Sequence, residues 1–135
     1  MEMGDRGLKD PIIWTHALFL LNSILWLLVN EPLAAFSVLC SNALSTLYHI
    51  HNEENKTWHT LDTACAAVTL SVTVYVAFPH ITIFGWVLLL SSLLTSFYFK
   101  KEAHASHYDS WHSAWHFGVF IGQALLALSI ESTVI

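Results

Sequence analysis

Four long stretches of this 135-residue chain contain no Asp, Glu, Lys or Arg: Pro11 to Asn30, Pro32 to Asn52, Ala64 to Phe99 and Ser110 to Ile130. A bilayer core about 30 Å thick needs roughly 20 helical residues to cross it. The third stretch, lengthened backwards to Thr57, therefore holds two crossings, and Pro79-His80 is the natural break between them. With 55% of residues hydrophobic and 11% charged, too little polar surface remains to cover a water-soluble globule. The expectation is an all-α integral membrane protein, a bundle of about five transmembrane helices in a single domain over 1–135.

Local punctuation sharpens the boundaries. Asp10-Pro11 supplies a capping carboxylate followed by proline at the first helical position, and Asn30-Glu31-Pro32 repeats the device for the second helix. The helices are expected at 11–30, 32–50, 57–78, 82–99 and 107–130. Their short connections make successive helices antiparallel neighbours. The residues before Pro11 carry both acids and bases, with no small-residue cleavage site after a short apolar core, so the first helix is expected to be retained. With the N-terminus on one side, the loops around 51–56 and 100–106 share that side. All five basic residues, Arg6, Lys9, Lys56, Lys100 and Lys101, then fall there, which makes it cytoplasmic. Asn55-Lys56-Thr57 matches the N-glycosylation pattern and argues the other way, but a three-residue pattern weighs less than that charge count. The net charge of -5 is scattered over short loops and offers no basic patch for nucleic acid. Cys40 and Cys65 lie in apolar stretches and read as small buried hydrophobes.

Nine histidines in so apolar a chain are the main clue. His80, His104 and His107 fall in or beside turns and read as solvated. His51 and His59 flank the loop between the second and third helices and stay open. His16, one to two turns into the first helix, could face a cluster or bond another helix. A sharper set remains. Ser45 and His49 close the second helix, Asp62 begins the third, and His112 and His116 lie in the first turns of the fifth. Residues four apart share a helix face, and the alternating helix directions bring all five to a similar depth beneath one membrane surface. Two histidines at i and i+4 form a zinc-chelating pair, and a third from another helix leaves a coordination position open for water. Zinc lowers the pKa of bound water to about 7. Ionisable groups inside a bilayer are costly and usually functional, although the same groups could instead pair with one another and simply hold the helices together. The six tryptophans lie mostly towards helix ends, where aromatic belts sit. Thr69, Ser71, Thr73, Ser91, Ser92 and Thr95 read as packing and back-bonding positions.

Ser45-Thr46-Leu47-Tyr48-His49, then Leu61-Asp62, then His112-Ser113-Ala114-Trp115-His116 resembles the signature of the CREST superfamily. That group spans alkaline ceramidases, adiponectin-type receptors, haemolysin-III-like proteins, Per1-type lipid-remodelling proteins and relatives of the post-GPI phospholipases. The pattern is Ser and His four apart, an Asp on the next helix, and a final His pair four apart. The resemblance covers roughly 37–66 and 107–124, about half of the chain. Members usually have seven helices, so this chain looks like a shortened form that lacks two between the Asp helix and the His-pair helix. The resemblance implies that His49, His112 and His116 hold Zn2+, that Asp62 positions or deprotonates the attacking water, and that Ser45 stabilises an oxyanion or orients a ligand.

The expected function is a zinc-dependent hydrolase acting on an acyl amide or ester of a membrane lipid. The alternative is a receptor or a remodelling or fusion protein in which zinc clamps helices together. A lipid-sized cavity reaching the metal's open position favours the first, and a closed four-ligand site favours the second. A proton or metal transporter is disfavoured, because the ionisable groups gather at one end instead of running across the membrane. The oligomeric state and the particular membrane are not legible.

Overall fold

Helix ends in this chain are set by side chains that satisfy the backbone groups a helix leaves unpaired. The computed structural model describes residues 10–51, 55–105 and 107–131, which form α1 (Pro11–Leu28), α2 (Pro32–His51), α3 (Lys56–Ala77), α4 (Ile83–Ala105) and α5 (Tyr108–Glu131). All five are long and apolar enough to cross a membrane. Arg6 and Lys9, two of the residues in the charge count, lie outside the described residues, as do the side chains of His51 and His104. Asp10 caps α1 as expected, its carboxylate accepting from the Ile12 amide at 2.8 Å. Asn55 caps α3, accepting from the amides of Thr57 at 2.9 Å and Trp58 at 3.3 Å.

Three local expectations are corrected. Asn30 does not cap α2; it closes α1. Its φ of 61° is left-handed, its amide donates to Leu27 O at 3.0 Å, and Glu31 N donates to Trp26 O at 2.9 Å. That pair of reversed bonds is a Schellman ending, which Asn tolerates because its small polar side chain lowers the cost of positive φ. The Glu31 carbonyl instead takes the first bond of α2, from Ala35 N at 3.0 Å. α4 runs on to Ala105 instead of ending near 99. Lys100, Lys101 and Glu102 mark where the apolar surface stops, but Lys, Glu and Ala are good helix formers and carry the helix past that edge. Trp26 belongs to no interfacial belt. It is fully buried, and its indole N–H donates to Gln123 Oε1 on α5 at 3.2 Å.

Packing departs from chain order at one place. α1 packs on α2, α2 on α3, α5 on α1 and α3, and α4 on α5, whereas the backbones of α3 and α4 stay apart. Four helices thus close a ring, with α4 leaning on it through α5. A seam of small residues selects that partner: Ser92 Oγ donates to the Gly118 carbonyl at 2.8 Å, and a Cβ on Gly118 would run into Ser96 Oγ. Small residues let membrane helices approach closely where lipid removes the usual hydrophobic drive. Hydroxyls elsewhere behave as expected: Thr69 donates to Ser37 O on α2 at 2.9 Å, Ser71 to Ala67 O at 2.9 Å, and Thr73 to Thr69 O at 2.9 Å. Cys40 and Cys65 are free thiols.

The two ends of the bundle differ. Trp26, Ala34, Val38, Ala77, Leu89 and Leu126 build the apolar core where α1, α3 and α5 finish and α2 and α4 begin. The opposite end collects the histidines.

Candidate metal centre

Four buried histidines from three helices face one another at that end: His16 from α1, His49 from α2, and His112 and His116 from α5. Their rings form a continuous cluster, with centroids 4.7 Å apart for His16–His116, 4.8 Å for His49–His112 and 4.7 Å for His112–His116. His16, His49 and His116 each offer a ring nitrogen within 4.8 Å of the others, a spacing that could hold a metal ion. His112 meets His49 through their Nε2 atoms at 3.2 Å, so it stands beside that trio.

The first turns of α1 fix the tautomers of two of these rings. His16 Nδ1 donates to the Ile12 carbonyl at 2.8 Å, which leaves its Nε2 with a lone pair. That atom is buried and has no hydrogen-bond partner; the Ser45 carbonyl interacts with the ring but closes no bond to Nε2. Thr15 Oγ1 donates its single proton to the same Ile12 carbonyl at 2.6 Å. It can therefore only accept from His116 Nδ1, 2.9 Å away, and His116 Nε2 is also left as a lone pair. A second ring nitrogen held by a hydrogen bond is how metal-binding histidines are usually oriented. An orphaned buried nitrogen costs about 1–3 kcal/mol, and a cation at the cluster would remove that cost. The donor set therefore fits a metal ion, and three imidazoles suit zinc among several first-row metals.

Ser45 and Asp62, the remaining expected residues, adjoin the cluster. The Ser45 hydroxyl interacts with the Asp62 carboxylate, and His49, His59 and Lys100 are the charged or chargeable groups that bear on that carboxylate. Ser45, Asp62 and His116 line one small cavity of about 70 Å³, together with Asn42. A larger cavity of about 280 Å³ lies where the backbones of α3 and α4 stay apart, walled by Leu70, Leu93, Phe97 and their neighbours. The two share Phe19, Ser41, Ala66, Trp115 and Val119 as walls, so an apolar chamber lies beside the polar one. Lys100 Nζ sits 4.7 Å over the Trp115 ring, a cation–π contact between α4 and α5.

The structure thus brings together Ser45, His49, Asp62, His112 and His116, and adds His16, whose role the sequence left open. Thr15 carried no signal beyond its position next to His16. His59 and His107 are exposed and His80 is half-buried; His59 packs its ring against Tyr48 at 5.6 Å. Comparison with protein-family models, curated proteins and solved structures gives no match. Fold and site by themselves define a class: an all-helical bundle with five helices fit to cross a membrane and a buried histidine cluster at one end.

Proposed function

We propose that this chain is a multi-pass membrane hydrolase of the CREST type, zinc-dependent, cleaving an acyl amide or ester of a membrane lipid, with its N-terminus cytoplasmic. The observation that carries this reading is that the apolar chamber beside α3 and α4 adjoins the small cavity at Ser45, Asp62 and His116, with walls in common. A structural clamp has no use for a lipid-sized approach to the metal. An acyl chain lying in that chamber would bring its carbonyl up to the polar end.

His16, His49 and His116 would hold the ion, with His112 bonded to His49 beside them. Zinc, when bound, supplies Lewis acidity and lowers the pKa of water to about 7. Asp62 takes the proton of the attacking water as its oxygen adds to the carbonyl carbon. The same group then hands a proton to the leaving nitrogen or oxygen as the C–N or C–O bond breaks, releasing a carboxylic acid and an amine or alcohol. Ser45, whose one hydroxyl proton faces Asp62 before reaction, would turn it towards the oxygen on which negative charge develops.

One observation favours the clamp reading: a fourth histidine, His112, lies against His49 and His116, and four imidazole ligands would close the site. The test is product analysis with purified zinc-loaded protein on ceramides, phospholipids and acyl esters, in parallel with Ser45→Ala. We expect fatty-acid release that falls about 10²–10³-fold in Ser45→Ala at unchanged zinc content, since a hydroxyl competes poorly with imidazole for zinc. No release from any of these lipids by the wild-type protein would leave the clamp.

A further inference from the structure

The side-chain oxygen of Asn42 is a buried acceptor that the bundle itself does not use. It lies on α2 three residues before Ser45 and seven before His49, hence on the same helix face. It is about nine-tenths buried, and its Oδ1 has no hydrogen-bond partner among the described residues. Asn in the middle of an apolar helix is a poor helix former and usually earns its place by bonding a neighbouring helix. Asn22 does that, donating through Nδ2 to the Phe120 carbonyl on α5 at 3.2 Å, although its own Oδ1 is also unpartnered among the described residues. Asn42 lines the small cavity with Ser45, Asp62 and His116 instead. Buried amide oxygens left unpaired are expensive, and what they lack is a donor.

We propose that Asn42 is a substrate-positioning residue whose side-chain amide accepts a hydrogen bond from an N–H next to the acyl carbonyl, so that the site takes secondary lipid amides in preference to esters. This rests on the hydrolase reading for its chemistry, but it concerns binding and can be tested by binding. A secondary amide places one donor next to the carbonyl to be attacked. With that carbonyl held at the polar end and the acyl chain in the apolar chamber, the N–H falls within the cavity that Asn42 lines. An ester of the same chain puts an oxygen there, which would face the Asn42 oxygen and leave both acceptors unpaired. Tertiary amides, methylated on nitrogen, fail in the same way.

The experiment titrates zinc-loaded, detergent-purified protein with a long-chain secondary amide, its N-methyl derivative and the ester of equal length, reading dissociation constants from tryptophan fluorescence. Wild-type protein is expected to bind the secondary amide about tenfold more tightly than either analogue, the worth of one hydrogen bond in a dry site. Asn42→Ala should bring the three constants together, with its zinc content equal to wild type. Equal binding of all three by the wild-type protein overturns the assignment without reference to any variant, and a bound water on Asn42 would then be the better account. Selectivity that persists in Asn42→Ala overturns it too. Fatty-acid release assayed on the same samples separates the two ideas: release without amide selectivity sinks the role of Asn42 alone, and selectivity without release sinks the hydrolase alone.

Discussion

A histidine that ligates a metal and one that only steadies a ligand respond differently to removal. The resemblance puts His112 in the ligand set, whereas the trio within 4.8 Å is His16, His49 and His116. We therefore expect His16→Ala, like His49→Ala and His116→Ala, to bring zinc occupancy of the purified protein close to zero. His112→Ala should keep the ion with affinity weakened about 10–100-fold, the usual cost of losing a group that orients a ligand. Metal content by elemental analysis reads this directly, and the opposite ranking restores the ligand set that the resemblance implies. His49, His112 and His116 were legible because i and i+4 fall on one face and both helices turn that end to the same membrane surface. His16 was not, because spacing within a helix says nothing about which other helix faces it. Only the packing of α1 on α5, through Thr15 on His116 and Asn22 on Phe120, decides that.

Helices proved more legible than their endings. Charge-free runs located all five, since a membrane span needs nothing more specific than length and apolarity. What charge cannot report is where hydrogen bonding stops, hence the extra turns of α4, nor which of two helices an Asn between them serves. Asn30 gives a test of the second point. Its left-handed φ costs an ordinary L-residue about 1–2 kcal/mol, so Asn30→Val should lower the thermal midpoint in detergent while Asn30→Gly leaves it level or raises it. Equal midpoints for all three would show that the turn after α1 is not held in that conformation. The separation of α3 from α4 was likewise out of reach. A short connection predicts neighbours, but the Gly118 and Gly122 face of α5 offers α4 a closer approach than the side chains of α3 do.

In the whole molecule, the charge asymmetry predicts orientation. We expect both the N-terminus and the loop holding Asn55 to be cytoplasmic, so Asn55 should remain unmodified when the protein is made in a eukaryotic host; glycosylation there would invert the assignment. Bilayer thickness is the other variable that reaches every helix at once. At about 1.5 Å per residue, the 18 residues of α1 span about 27 Å and the 24 of α5 about 36 Å, so no single thickness suits them all. A mismatched bilayer tilts the helix with the fewest neighbours, and here that is α4, whose backbone comes close to that of α5 alone. Tilting α4 away from the ring would widen or narrow the gap it leaves against α3 while His16, His49, Asp62 and His116, all carried by ring helices, stay put. Across vesicles of stepped lipid chain length, we expect lipid uptake to change several-fold while zinc affinity holds constant; parallel changes in both would mean that α4 and the ring move together. The surrounding lipid would then act as a throttle on delivery, adjusting supply to the site without altering a single bond within it.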